Sequence, residues 1–177
     1  MSDYLIKSLV DNDQFRAYAV DATELVREAQ RRHDTWAASS AALGRSLVAT
    51  LLLSSSVLKG EETMTVRING GGPVGGIVID GNAKGTVKGY LQEPHVNLPL
   101  NDHHKIDVSK AVGVNGFLSV TKDLGLDQPI LGRYRSLQAR SAMISRSILL
   151  SLNKFHQLLG FRSLLTKIIQ FRLRVVS

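Results

Sequence analysis

The stretch ALGRSLVATLLLSSSVLKGEETMTVRIN, residues 42–69, decides the fold because its hydrophobic period changes part-way along. In its first half the apolar side chains recur every three or four residues, which predicts a helix over residues 36–58 with one buried face. Gly60 then ends the helix, and a period of two predicts a half-buried strand over residues 63–69. This order of elements indicates a helix packed against a sheet.

The residues before this stretch predict a hairpin and one more helix. Residues 4–10 and 15–20 are rich in β-formers and flank a three-residue turn, which predicts two antiparallel strands. Residues 23–33 then predict a helix, with Asp21 or Thr23 as the N-cap. Acidic residues near its start and basic residues at its end fit the helix dipole.

The residues after the strand at 63–69 predict more sheet. Glycine-rich turns separate it from apolar runs at residues 74–80 and 86–92, which predicts a meander. Asn115-Gly116 lies between two further apolar runs and is a strong signal for a two-residue hairpin turn. The predicted fold class is therefore α+β, with a mixed or antiparallel sheet that contains hairpins and a meander and is backed by two consecutive helices.

Composition limits the classes of function. The 177 residues are 44% hydrophobic and 21% charged, which is typical of a globular domain. No cysteine is present, so disulfides, thiolate metal sites and cysteine nucleophiles are excluded in this chain. The start of the chain lacks the pattern of a signal peptide, and the most apolar window, residues 46–58, is shorter than the ~20 residues that cross a bilayer. The predictions are a cytoplasmic location and no membrane partner.

The net charge of +7 is unevenly distributed along the chain. Residues 127–177 hold nine Lys and Arg and one acid, a charge of +8, whereas residues 1–126 have a charge of −1. The sequence after Leu126 is dominated by Leu, Ser and Arg and shows no strand alternation. We therefore predict a patterned domain over residues 1–126 and a divergent basic tail over 127–177, which predicts no specific nucleic-acid partner for the patterned part.

The glycine run at residues 70–75 matches the pattern G-x-G-x-x-G, in which glycines let a dinucleotide phosphate approach a helix N-terminus. The run leads into the strand-like Ile77-Val78-Ile79 rather than a helix, and Pro73 removes a backbone donor. This context favours a tight turn, and we predict no cofactor-binding residue.

Other candidate reactive groups also receive structural interpretations. His103 and His104 lie near Asp102 and Asp107, but no third and fourth ligand has suitable spacing, so no metal site is predicted. No G-x-S-x-G motif is present. Several carboxylates lie near turns, where Asp accepts local backbone hydrogen bonds: Asp80, Glu93, Asp102, Asp107 and Asp123. We predict no catalytic residue and no enzyme activity.

A series of motifs in residues 3–126 resembles one known family, the bacterial redox-regulated thirty-three-kilodalton heat-shock chaperone, also called the 33 kDa chaperonin. The resemblance covers most of the N-terminal domain of the family. The motifs that carry it are Ala42-Leu43-Gly44-Arg45, Leu58-Lys59-Gly60, Gly72-Pro73-Val74-Gly75, Asp80-Gly81-Asn82-Ala83-Lys84-Gly85-Thr86-Val87-Lys88-Gly89-Tyr90, Val112-Gly113-Val114-Asn115-Gly116 and Lys122-Asp123-Leu124-Gly125.

The resemblance implies an ATP-independent holdase that binds unfolding client proteins under oxidative or heat stress, with a domain that can form a homodimer. In the family, a C-terminal domain holds zinc through a C-x-C pair and a C-x-x-C pair, and these thiolates form disulfides on oxidation. Those cysteines are absent here, so we expect no cofactor and no redox switch in this chain. The alternative function is a basic module that binds nucleic acid or membrane surfaces through residues 133–174.

The change of composition near Asp127 falls before several strands that the resemblance implies. Leu, Ser and Arg are each encoded by six codons, so we hypothesise a frameshift that truncates the domain. Truncation is expected to leave sheet edges and apolar faces without partners. Binding by such surfaces leaves no short motif, so the sequence identifies no client-contacting residue.

Overall fold

Seven strands and three helices follow one another in the computed structural model, which describes residues 2–10, 15–101, 104–125 and 129–137. The elements, in chain order, are β1 (Tyr4–Val10), β2 (Phe15–Asp21), α1 (Thr23–His33), α2 (Ala37–Val57), β3 (Thr63–Asn69), β4 (Ile77–Asn82), β5 (Val87–Leu91), α3 (Val108–Val112), β6 (Asn115–Asp123) and β7 (Ile130–Leu137).

The strands form two antiparallel sheets, and the predicted α+β class is confirmed. The predicted hairpin is a two-stranded sheet in which Tyr4 pairs with Asp21 and Val10 pairs with Phe15. The second sheet has the order β5-β4-β3-β6-β7, so the predicted meander β3-β4-β5 is also confirmed. The central strand β3 pairs with β4 on one side and with β6 on the other.

The helix α2 covers one face of the larger sheet, which we call the inner face. Alternate residues of β3 and its neighbours point toward α2, and the inner face supplies most of the core. Ser46 and Ser54 lie fully buried in α2, and their hydroxyls donate to the carbonyls of Ala42 and Leu51 one turn earlier. Both hydroxyls are therefore hydrogen-bonded although they are buried.

Among the described helices, α2 is the one that is long and apolar enough to cross a membrane. It has 21 residues, whereas the most apolar window of the sequence has only 13. However, 61% of the relevant window is buried inside the protein. A helix that packs against a sheet along its length passes the same test of length and composition. We therefore assign α2 to the core.

The helix α1 begins differently from the prediction. Its N-cap is Ala22, which makes no side-chain cap, and Thr23 is already the first helical residue. The Asp21 carboxylate accepts from the Thr23 N–H, and the carboxylate of Asp3, just before β1, accepts from the backbone N–H groups of Glu24 and Leu25 at 2.9 and 2.6 Å. Part of the capping thus comes from 21 and 22 residues away, where a local search for caps cannot find it.

The predicted hairpin at Asn115-Gly116 is wrong. The apolar run before it begins with Val112, the last residue of the helix α3, and β6 begins at Asn115 and pairs with β3 instead of forming a hairpin there. A Cβ on Gly116 would lie 1.8 Å from the carbonyl oxygen of Asn69, so glycine is required by a close approach of two backbones. Asn115-Gly116 has the composition of a turn, but Gly116 is needed because β6 packs closely against Asn69 of β3.

The strand β7 corrects the prediction that regular pattern ends after Leu126. Residues 130–137 pair with β6 in antiparallel register, from Lys122 opposite Ile130 to Asn115 opposite Leu137. The alternation is hidden in the sequence because the apolar Leu131 lies on the same exposed face as Arg133, while Gly132 lies on the other face. Arg133 lies over the Phe117 ring at 4.4 Å. Asp127 and residues 138–177 lie outside the described residues, so the predicted domain division stays a prediction.

A partly buried ion pair connects the end of α2 to the sheet. Lys122 of β6 lies 3.0 Å from the Glu62 carboxylate and also donates to the carbonyl of Val57, in the last turn of α2. Partial burial alone would raise the pKa of Glu62, but hydrogen bonds from Lys122 and from the Lys59 backbone outweigh burial and lower this pKa. The pair therefore favours the folded state while Glu62 is ionised.

Replacement of Gly113 is expected to cost more stability than replacement of Gly60, although both glycines have positive φ angles, 85° and 56°. A Cβ on Gly113 would lie 2.3 Å from the Gly70 carbonyl oxygen, whereas nothing lies within 4 Å of a Cβ on Gly60. Gly60→Ala should lower the free energy of unfolding by about 1 kcal/mol, and Gly113→Ala by at least ~2 kcal/mol more. Urea unfolding measures both, and equal losses would contradict the contact.

Glu62→Gln should lower the free energy of unfolding by roughly 1 kcal/mol at neutral pH. Because the folded pKa of Glu62 is depressed, its contribution is complete above the ordinary value of 4.5 and is lost as the pH falls through the folded value. Urea unfolding should thus show the variant and the parent converging in acid. Glu61→Gln, which breaks the exposed pair with Lys84, is the control and should change little at any pH.

Candidate functional site

Large apolar side chains are exposed mainly on two surfaces of the described protein. Tyr4, Ile6 and Leu9 lie on β1, and Tyr90 and Leu131 lie on the larger sheet. Trp36 and Leu100 are exposed singly. Clustered exposed apolar groups are typical of sites that bind other proteins, whereas single ones are ordinary. The strand β1, with three such side chains, and the larger sheet, with two, are therefore the candidate functional surfaces.

We call Tyr4, Ile6 and Leu9 the β1 surface. Tyr4 and Ile6 point to the same side of the hairpin, two residues apart, and are 53% and 52% exposed. Leu9 points to the opposite side and is 60% exposed. Leu5, on the same side as Leu9, lies near the turn at Gly85 and is half-buried. Leu5 thus contacts the rest of the protein near Gly85, while Tyr4 and Ile6 on one side of the hairpin and Leu9 on the other stay exposed.

The sequence contains a signal for the β1 surface that the prediction missed. In YLIKSLV, residues 4–10, apolar side chains occupy both alternating sets of positions. A strand that is apolar on both sides is normally buried between two layers. Here β1 has only β2 as a neighbour in its sheet, so part of its apolar surface stays exposed.

The second surface is the side of the larger sheet that faces away from α2, which we call the outer face. It carries Tyr90 and Leu131 together with basic side chains, among which Arg67, Lys88 and Arg133 are exposed. It also carries two carboxylates, Asp80, which accepts a hydrogen bond from the Thr65 hydroxyl at 2.6 Å, and Asp123 at the end of β6. The outer face is therefore a mixed apolar and cationic surface.

A small aromatic cluster joins the start of α2 to the loop after β5. The centroids of the Trp36 and His95 rings lie 5.2 Å apart. The backbone N–H of Trp36 donates to the Pro94 carbonyl. His95 Nε2 lies 3.1 Å from an Asp34 carboxylate oxygen. These contacts hold the loop against the helix, which is a structural role.

The glycine run at 70–75 forms a tight turn, as its context predicts. Its backbone donors are used within the protein: the N–H of Gly72 donates to Val112, and the N–H of Gly71 donates to the Asn69 side chain. The N–H groups of Val74 and Gly75 have backbone acceptors as well. A phosphate would find no free donor among these N–H groups.

Two of the predicted turn carboxylates, Asp107 and Asp123, have local acceptor roles, whereas Asp80 accepts from Thr65 on the neighbouring strand. Asp107 accepts hydrogen bonds from the N–H groups of Ser109 and Lys110 at the start of α3. Asp123 accepts from Gly125. Asp102 and His103 lie outside the described residues, and the residues that are described include no group of three or more possible metal ligands. With no cysteine in the sequence, the chain does not offer the four thiolates of the family's zinc site.

Comparisons with known proteins agree on one family. The family model described as Hsp33 protein matches residues 3–146, which extends beyond residue 126. The 33 kDa chaperonin of Lactiplantibacillus plantarum is 76% identical over 132 residues, which are 75% of this chain and 45% of that protein. The 33 kDa chaperonin of Geobacillus kaustophilus is 58% identical over 126 residues, which are 71% of this chain and 42% of that protein.

A solved structure shows the same fold. The crystal structure of the 33 kDa chaperonin of Thermotoga maritima superposes with a TM-score of 0.76 at 30% identity. The match covers 85% of this chain and 51% of that chain. The chain thus spans less than half the length of the two curated relatives and about half the length of the solved one.

Proposed function

The chain belongs to the Hsp33 family, and on that premise we propose that it is a cytoplasmic, ATP-independent holdase that binds unfolded client proteins. The observation that carries the proposal is the β1 surface, where three large apolar side chains are each more than half exposed. Unfolding proteins expose apolar segments, and burying them against such a surface is favourable without a cofactor or a chemical step.

Further observations support a role without nucleotide chemistry. The glycine run that formally resembles a nucleotide fingerprint uses its N–H groups in contacts with α3 and with neighbouring side chains. The relatives are named chaperonins, and we propose no catalytic residue.

Client holding in this chain would be independent of oxidation. A thiol switch needs cysteines, and the sequence has none. We therefore propose that the exposed surfaces are available to clients under reducing conditions as well. Stress would act by producing clients and not by activating the protein.

Two further proposals concern the chain itself. A second copy could pair with an open strand edge, so we propose a homodimer, which sedimentation can test. We also keep the frameshift as a proposal, because the family match stops at residue 146 while the sequence continues to residue 177. The other reading frames of the gene test it, and frames that encode neither further strands nor a cysteine-rich end would contradict it.

The alternative function through the basic residues 133–174 has less support. Arg133, its first residue, is part of the strand β7 and contacts Phe117, so it belongs to the sheet. The residues from 138 onward lie outside the described part of the chain. Steeply salt-dependent binding to polyanions that is lost on deletion of residues 138–177 would favour this alternative.

The double variant Ile6→Ser/Leu9→Ser should hold clients about tenfold more weakly, because it removes two large exposed apolar side chains from the β1 surface. The measurement is light scattering of a heat-denaturing client at increasing concentrations of the full chain. Leu100→Ser is the control, since Leu100 is equally exposed but lies outside the β1 surface.

Unchanged suppression by the double variant would contradict the role of the β1 surface. A parent chain that stays in solution and suppresses no aggregation would contradict client holding altogether. Circular dichroism of the variants shows whether the fold is retained, so loss of function and loss of structure are separated.

A further inference from the structure

The exposed cations of the outer face form an ordered array. One row of paired positions crosses all five strands, and it consists of Tyr90, Val78, Arg67, Ser119 and Arg133. The adjacent row runs from Lys88 through Asp80 and Thr65 to Leu131. Strands are about 4.8 Å apart, so Arg67 lies about 10 Å from Arg133. That separation is close to the Debye length at physiological salt, so a ligand between the two arginines would be attracted by both charges.

The basic residues of α1 show how this protein neutralises cations elsewhere. Arg27 pairs with Glu24, and both Arg31 and Arg32 donate to Glu28. Hydrogen bonds from Arg31 and Arg32 hold the pKa of Glu28 at about 2. Each exposed arginine of this helix therefore has a carboxylate within its own turn.

The outer face lacks this compensation. Among the described residues, no ion pair involves Arg67, Lys88 or Arg133. The carboxylate Asp80 lies beside Lys88 in register but accepts its hydrogen bond from Thr65. The outer face is thus a cationic surface with an exposed apolar side chain at each of its two edge strands, Tyr90 on β5 and Leu131 on β7.

We propose that the outer face selects clients by charge and binds unfolded segments in which carboxylates alternate with apolar or aromatic side chains. This inference rests on the proposed holdase function and adds the class of substrate. An extended segment of about six residues spans the ~19 Å from β5 to β7, at about 3.3 Å per residue. Its carboxylates would meet Arg67, Lys88 and Arg133 while its apolar side chains reach Tyr90 and Leu131.

A single-stranded nucleic acid fits the outer face less well. Such ligands stack successive bases on free aromatic rings. The Arg133 guanidinium already covers the Phe117 ring, which leaves Tyr90 as the exposed aromatic ring among the described residues of this face. Carboxylates with apolar neighbours match the observed mixture of groups more closely.

The test compares two clients that share a fold and have opposite charge, α-lactalbumin, which is acidic, and lysozyme, which is basic. Both aggregate when their disulfides are reduced, and the reductant has no disulfide to act on in this chain, which has no cysteine. At low salt the full chain should suppress aggregation of α-lactalbumin at lower concentration than aggregation of lysozyme. The preference should disappear in ~1 M salt, where the Debye length is about 3 Å.

Arg67→Glu/Lys88→Glu/Arg133→Glu should weaken holding of α-lactalbumin by roughly threefold to tenfold, since exposed ion pairs contribute modestly and three are removed. Holding of lysozyme should not weaken. Arg45→Glu/Lys105→Glu/Lys110→Glu is the matched control, because it changes the net charge equally at exposed positions away from the outer face. Should the Glu triple variant fail to fold, the corresponding Gln variant provides the same comparison with a smaller change.

Equal suppression of both clients by the parent chain would overturn charge selection and leave the holdase proposal standing. An equal effect of the control variant would also overturn it, by assigning the preference to net charge. A single-stranded oligonucleotide that binds the outer face without competing with α-lactalbumin would overturn it in favour of nucleic acid. Suppression of neither client would overturn both proposals.

Discussion

The close approach of α2 to the larger sheet is the contact on which the rest of the structure depends. It is possible because small side chains meet a glycine: a Cβ on Gly81 would lie 2.8 Å from the Ser54 hydroxyl and 3.2 Å from a methyl carbon of Thr50. The approach has a cost, since the buried Thr50 hydroxyl has no hydrogen-bond partner in the described structure. The inner face is closed in this way, and Arg67, Asp80 and Lys88 are directed to the other side. Lys122 is an exception on the inner side, where it pairs with Glu62.

A second helix contact follows the same rule. A Cβ on Gly44 of α2 would lie 2.8 Å from the Val26 side chain of α1, so glycine lets the two helices pack closely. The family-like motif around Gly44 is therefore a packing motif. The glycines at 70, 72 and 113 act likewise where the loop before β4 crosses the end of α3. These glycines therefore mark close packing contacts within the protein.

The sequence was sufficient to predict elements whose cause is local. The helix α2, the strand β3, the first hairpin and the meander follow from periodicity and turn composition, and the structure confirms them. The failures arise where the cause is distant. Part of the capping of α1 comes from Asp3, and the glycine at 116 is required by Asn69, neither of which is near in sequence. The strand β7 was missed because its exposed face carries the apolar Leu131 as well as Arg133 and its other face carries Gly132, so apolar and polar residues do not alternate.

For the candidate site, the sequence indicated the kind of surface but not its residues. Exposed apolar area has no motif, and only the pairing of strands shows which apolar side chains lack a covering layer. Ile6 and Leu118 have similar chemistry, yet one is half exposed and the other is 7% exposed. The difference is set by the position of each strand relative to α2.

The two sheets differ in how they are anchored. In the described part of the chain, the hairpin β1–β2 shares no strand pairing with the larger sheet, and Asp3, just before β1, is attached to the start of α1 by two hydrogen bonds. Such a unit can open locally at a free energy well below that of global unfolding. Detachment of the hairpin would uncover the part of α2 that β2 contacts while leaving the five-stranded sheet intact. The protein thus contains a reserve of apolar area that a modest mechanical or thermal disturbance can release.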